Sequence, residues 1–254
     1  MKGKLFLGAA CAAMLTAGPA SADTIELTGV VRDFLISHPD MQYPDKSFGV
    51  RTGLVMPQLG ADAKPVLNTS ANYHNGMIAG PESFDQWFRD VPGVNITMPL
   101  TITMDNDQEG EGGIYTYAVE KPTYFFPIDG RGWNDSQTVS TGTHNFYFTY
   151  EIVTEFTYTD PATREDELVF SFTGDDDVWV FINGHLVVDL GGVHGQANGS
   201  VNVDDMAAEL GLEPGNNYAL NFFFAERHTT ESNFRIETSL QLIATPTTIS
   251  PVYD

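Results

Sequence analysis

Gly174-Asp175-Asp176-Asp177 sets three carboxylates in a row directly ahead of the apolar run Val178 to Ile182. Adjacent carboxylates repel, so a fold that gathers them needs a cation, basic partners or open water. With 12 Lys and Arg against 34 Asp and Glu, basic partners are scarce. A hard cation is the reading to test, and calcium suits it best because it takes about six to eight oxygen ligands in a forgiving geometry. Asp175, Asp176 and Asp177 are the metal-ligand candidates. The competing reading is a solvated Asp-rich turn. Against that, strong β-formers start at Val178 and tie the triplet to a buried strand.

Three other segments could carry chemistry. Gly191-Gly192-Val193-His194-Gly195 allows close backbone approach to an ion or ligand, or is an ordinary loop leaving Leu190. Glu226-Arg227-His228-Thr229-Thr230-Glu231-Ser232-Asn233 lies between two core-like strands and is dense in oxygen ligands and hydrogen-bond donors. It suits a calcium lobe or a sugar-contacting loop, with His194, Arg227, His228 and Asn233 as ligand-binding candidates; Glu226 with Arg227 could equally be a structural ion pair. Asp105-Asn106-Asp107-Gln108-Glu109-Gly110 starts like a helix-loop-helix calcium loop. Thr116, however, stands where that loop carries a bidentate Glu, and the flanks read as strands. The six histidines lack zinc spacing, and no serine sits in a Gly-x-Ser-x-Gly elbow. Trp87, Trp133 and Trp179 could stack on sugar rings, although a Trp in an alternating strand, as at Trp179, is more often core.

Strands must position these residues. Period-two alternation marks Thr24–Arg32, Phe48–Val55, Asn95–Met104, Ile114–Val119, Tyr124–Phe126, a long strand through Phe146 to Tyr158, Leu168–Phe172, Leu220–Phe224 and Phe234–Leu242. Pro99 predicts an edge position for its strand. Asn183-Gly184 predicts a type I′ hairpin joining Val178–Ile182 to His185–Asp189. Helix is confined to Ser83–Asp90 and Val203–Leu210. Many short strands with Gly/Pro turns argue for an antiparallel β-sandwich, with an irregular subregion over residues 33–94.

Composition bounds the setting. Residues 1–22 read as a secretory signal: Lys2 and Lys4, the apolar stretch Leu5 to Leu15, then Ala20-Ser21-Ala22. A lipoprotein signal using Cys11 is the alternative. Cleavage removes the lone cysteine and two lysines, so the net charge of −22 becomes −24. Such acidity argues against nucleic acid and anionic membranes as partners, and no second apolar run is long enough to span a bilayer. Residues 23–243 form the expected domain, and residues 244–254 a short disordered tail.

Gly174 to Asp189, Gly191 to Gly195, Ala225-Glu226-Arg227-His228 and Ser232-Asn233-Phe234-Arg235-Ile236 resemble the fibro-slime domain of secreted bacterial and slime-mould proteins. So do Val31-Arg32-Asp33-Phe34, His38-Pro39-Asp40, Trp87-Phe88-Arg89-Asp90 and Phe125-Phe126-Pro127-Ile128-Asp129-Gly130. That domain is similar in turn to the protective-antigen-type, jelly-roll β-sandwich of flocculin-like lectins. The resemblance implies an all-β antiparallel sandwich with a few short helices. It also implies a calcium site on Asp175 and Asp176, often with a cis peptide between the two, and sugar hydroxyls held by the ion. Asp177 stands where those lectins have Gly, which implies added charge and bulk beside the ion that tightens calcium and obstructs the sugar.

The expected function is therefore a secreted or cell-surface, non-enzymatic, calcium-dependent module binding an extracellular polysaccharide or cell-surface glycan. The alternatives are a matrix or surface-layer component whose calcium only stabilises the fold, and an extracellular glycosidase. Neither the glycan nor the oligomeric state is legible at this level.

Overall fold

The computed structural model describes residues 23–42, 49–70, 77–106 and 113–243. The signal over 1–22, the tail over 244–254, His74 and the stretch Asp107 to Gly110 lie outside them.

The described residues form an antiparallel β-sandwich with two short α-helices. In chain order the elements are β1 (Asp23–Phe34), α1 (Pro81–Phe84), β2 (Asn95–Asn106), β3 (Tyr115–Val119), β4 (Gln137–Val139), β5 (Gly142–His144) and β6 (Phe148–Thr157). They continue with β7 (Val169–Gly174), β8 (Asp177–Ile182), β9 (His185–Leu190), β10 (Ala197–Asn202), α2 (Val203–Met206), β11 (Asn217–Glu226), β12 (Phe234–Thr238) and β13 (Leu242–Ile243). β4 and β5 make a separate hairpin. The remaining strands follow one hydrogen-bonded path, β10-β7-β12-β3-β2-β1-β6-β11-β8-β9, with β13 on β6. Among the described residues no helix is long and apolar enough to cross a membrane.

The path folds back so that its two ends face each other across a phenylalanine-rich core. Phe172 of β7 lies 5.5 Å from Phe222 of β11, and Phe234 of β12 lies 5.2 Å from Phe224. Each such side chain contributes roughly 1.5–3 kcal/mol by leaving water. Even-numbered residues of β8 and β11 (Val178, Val180, Ile182, Leu220, Phe222, Phe224) enter this core. Odd-numbered ones (Trp179, Phe181, Phe223, Ala225) pack outward beneath Leu54, Val55, Leu67, Met77, Phe84 and Trp87. The irregular N-terminal subregion is thus a cover over the outer face of β8 and β11. This explains why every residue of β8 is buried and why its sequence is nearly unbroken in apolar residues.

The Asn183-Gly184 turn is as expected, with φ of 50° and 79°. Pro99 pairs with Val30 on β1, while β3 meets β2 only at Asp105–Thr116, so Pro99 does face an open edge.

Other expectations need correction. The described part of Phe48–Val55 is not a strand; it bridges to Leu67 at Val55, and its backbone is claimed by Gly191 O (from Arg51 N, 2.6 Å) and Asp189 Oδ2 (from Gly53 N, 2.6 Å). Tyr124–Phe126 is loop, because Tyr124 takes a left-handed φ of 55°. Phe234–Leu242 breaks after Thr238, and its end crosses to β6. Both helices are shorter than their periodicity suggests. Beyond Phe84, Asn95 Nδ2 takes the carbonyls of Gln86 (3.1 Å) and Arg89 (2.9 Å) that a continuing helix would use.

Candidate metal and ligand site

At the end of the sandwich, where β7 passes into β8, the chain makes a cis peptide between Asp175 and Asp176. Asp175 is held from both sides by Asn233: its Oδ1 accepts from the Asn233 backbone N–H and its Oδ2 from Asn233 Nδ2, each at 2.7 Å. Asn233 Oδ1 accepts in turn from Lys121 N at 3.2 Å. Gly174 makes the clamp possible, since a Cβ there would strike the Asn233 carbonyl.

Asp176 has the face of the even positions of β8. Asp177 pairs with Ala225, so continuing that register by one residue sets Asp176 opposite Glu226 at the end of β11. Two like charges in that relation destabilise a ladder. Asp176 Oδ1 accepts from His194 N at 3.2 Å and Glu226 Oε1 from His228 N at 3.3 Å. Their other oxygens, Asp176 Oδ2 and Glu226 Oε2, are buried without a partner, as are His228 Nε2 and Ser232 Oγ. Orphaned buried acceptors carry a large desolvation penalty, and here both belong to carboxylates at one place. That pattern fits a cation. Among the described residues no three His, Cys, Asp or Glu side chains form a metal cluster of their own, so an ion here would also draw on backbone carbonyls or water, as calcium readily does.

A cleft of about 210 Å³ opens above these groups, lined by Asp175, Asp176, His194, His228, Thr230 and Glu231 among others. Asp175 and Asp176 are only 3% and 4% exposed, so they form its floor.

Asp177 does not face this cleft. Its parity is that of Trp179, which sends its carboxylate to the outer face, where Oδ2 meets Arg227 Nε at 2.5 Å and Oδ1 accepts from Gly192 N at 2.5 Å. Both side chains of the pair are fully buried. Arg227 also donates to Met77 O at 2.7 Å and lies 5.1 Å from the Trp87 ring centre. Asp177 as a metal ligand and as a plug on the sugar, and Arg227 as a ligand-binding group, are therefore corrected. Glu226 and Arg227 are not partners either, because consecutive strand residues point to opposite faces.

Of the remaining candidates, His194 and His228 line the cleft, and Asn233 acts beneath it as the clamp on Asp175. The His194 ring is engaged by carbonyl oxygens of Gly195 (2.8 Å) and Leu190 (3.2 Å). Glu226 was missed as a member of this carboxylate group, although its signal was present: it continues the even series Leu220, Phe222, Phe224 by one step. Trp87 and Trp179 are fully buried, whereas Trp133 is half-buried.

Burial raises the pKa of Asp176 and Glu226 well above the usual carboxylate range. For Asp176, Arg227 opposes the shift and Asp177 and Asp175 add to it; for Glu226, Asp176 and Asp175 add to it, while the nearby Ser232 hydroxyl, outside good hydrogen-bond geometry, and the His228 N–H oppose it. Asp175 is raised by burial too, against the opposing hydrogen bonds of Asn233. Without a cation, the folded state keeps protons that the unfolded chain releases above the ordinary values of 3.8 and 4.5. Stability from this source is complete below those values and is lost as pH rises through the raised ones. In a chelator, the melting temperature is expected to fall as pH rises above 4.5, and Asp176→Asn with Glu226→Gln should flatten that fall. An equally steep fall in the double variant would contradict it.

Residues 134–249, a little under half the chain, match the PA14 domain, a carbohydrate-binding β-sandwich module of the adhesion type. The chain is similar to protein psiQ of Dictyostelium discoideum, with 41% identity over 232 residues, covering 87% of this chain and 22% of psiQ. It is also similar to protein psiD of the same organism, with 38% identity over 226 residues, covering 86% of this chain and 42% of psiD. The chain thus spans less than half the length of these curated relatives. A solved anti-sigma factor domain-containing protein shows 15% identity at a TM-score of 0.28, covering 48% of this chain and 41% of that one, too distant to carry an argument.

Proposed function

We propose that this chain is a secreted, non-enzymatic module of the fibro-slime type that binds an extracellular polysaccharide or cell-surface glycan with the help of calcium. The observation that carries the reading is the pair of orphaned buried oxygens, Asp176 Oδ2 and Glu226 Oε2, beside the clamped carboxylate of Asp175 at the floor of an end cleft. The match of residues 134–249 to the PA14 domain supports the choice of a glycan.

Calcium, when bound, would neutralise the opposed carboxylates and offer coordination to hydroxyls. The residues supply the rest. Asn233 orients Asp175, and the backbone N–H groups of His194 and His228 fix one oxygen each of Asp176 and Glu226. His228 Nδ1 lies against the Thr229 carbonyl, so a proton donated there leaves Nε2 as an acceptor for a ligand hydroxyl. Thr229 and Thr230 add hydroxyls at the rim.

A structural role for the ion is the second reading, favoured by the near-complete burial of Asp175 and Asp176. A glycan array and a cellulose pull-down, each run in calcium and in EGTA, separate the two. The proposal expects retention that EGTA abolishes and that Asp176→Asn with Glu226→Gln abolishes in calcium. Retention indifferent to EGTA ends the calcium dependence. A calcium-raised melting temperature with no glycan retained establishes the structural reading instead.

A further inference from the structure

We propose a second, calcium-independent sugar subsite, a cleft built on Trp133 that takes the apolar face of a neutral pyranose from the same glycan chain. The choice of ligand rests on the glycan reading above; the subsite itself does not depend on the cation.

The cleft has a volume of about 300 Å³ and is lined by Trp133, Asp90, Val91, Pro92 and Thr97 among others, at the lower edge of the range for small-ligand pockets. Its walls are rigid. Asn95 spends its whole side chain on the backbone: Oδ1 accepts from Val91 N at 3.1 Å, and Nδ2 donates to the carbonyls of Gln86 and Arg89. Trp133 N donates to Asp33 Oδ2 at 2.6 Å, and Asp33, fully buried, also accepts from Asn145 Nδ2 at 2.8 Å. The Asp90 carboxylate accepts from Arg32 Nε at 2.8 Å through one oxygen. A carboxylate has about four acceptor positions, so capacity remains for ligand hydroxyls.

An indole with a carboxylate and a threonine hydroxyl beside it suits a pyranose: the ring's C–H face packs on the aromatic body, and its equatorial hydroxyls reach the acceptors. The strongly negative chain disfavours an anionic sugar.

Position links this cleft to the first. Ile96, which also lines the cleft, pairs with Asp33, Asp33 with Phe148, and Phe148 with Glu226, while Asp176 follows in register on β8. The two clefts therefore stand at the same end of the sandwich, on one row across β2, β1, β6, β11 and β8. Four strand spacings separate them, about 19 Å along the sheet. An oligosaccharide covers that span and a monosaccharide does not.

Trp133 is the one tryptophan that is not fully buried, so its emission can be read apart from Trp87 and Trp179. The test titrates cellotetraose, mannotetraose and maltotetraose in EGTA while following acrylamide quenching. At least one sugar is expected to protect the quenchable component, and Trp133→Ala to abolish that response. In calcium, Trp133→Ala is expected to weaken tetrasaccharide binding at least tenfold while leaving monosaccharide binding unchanged, and Trp133→Tyr to recover most of the loss. Protection in EGTA with no calcium-dependent binding anywhere would sink the calcium reading and leave this subsite standing. No protection by any of the three sugars, or equal affinity in Trp133→Ala, overturns it. Should Trp133→Ala fail to fold, protection in the unaltered protein decides alone.

Discussion

Asp176→Asn with Glu226→Gln is expected to erase the thermal response to calcium while leaving the calcium-free protein at least as stable as the parent. The parent should gain about 2.7 kcal/mol when calcium exceeds its dissociation constant about 100-fold, or about 5–10 °C for a domain of this size. The variant should gain nothing, because the two orphaned oxygens that call for an ion have been replaced by uncharged amides. It should also hold its own in EGTA at neutral pH, where the parent must keep opposed carboxylates in a desolvated place. Differential scanning calorimetry in calcium and in EGTA reads both effects. An equal calcium increment in variant and parent would place the ion elsewhere or nowhere.

The second large effect belongs to the other face of the same strands. Arg227→Leu strands Asp177 in a site where both side chains are fully buried, and removes the donor to Met77 O. Breaking a buried pair from one side costs about 3–5 kcal/mol, whereas replacing both partners with apolar residues is often neutral. Urea unfolding should show that loss for Arg227→Leu and recovery of most of it in Asp177→Leu/Arg227→Leu. The double variant should keep the full calcium increment, since neither residue faces the cleft. A single variant within about 1 kcal/mol of the parent would show that the pair is not holding the cover onto the sheet.

Much of this was legible along the chain. Alternation located most of the long strands, and Asn183-Gly184 marked its turn, because both signals are local. The sandwich class followed from the number and spacing of strands. What failed was decided by distant partners. Phe48–Val55 carries apolar residues for the cover rather than for a ladder, and β10, with Asn198 and Ser200 on its exposed side and Gly199 turned toward Val188 and Leu190, lacks the apolar face that would have announced it. At the site, the acidic triplet drew attention as a unit, yet strand parity splits it between two faces. Counting back from Trp179 would have sent Asp177 outward, and counting on from Phe224 would have brought Glu226 in. The orphaned oxygens were beyond reach, since they depend on which backbone N–H groups the Gly191–Gly195 and Glu226–Asn233 loops deliver.

The alternation of charge on neighbouring residues of β8 and β11 also polices how the two strands join. A slip of one position would turn the Asp177 carboxylate from its buried partner Arg227 toward the phenylalanine core, and would turn Trp179 and Phe181 toward space cut for valine and isoleucine. Arg227 would lose its fully buried ion-pair partner at the same stroke. Misaligned pairings are thereby penalised twice over, by electrostatics and by shape, before any ion or sugar arrives. The outward-facing residues thus double as a proofreading device for the strand pair on which the cleft stands.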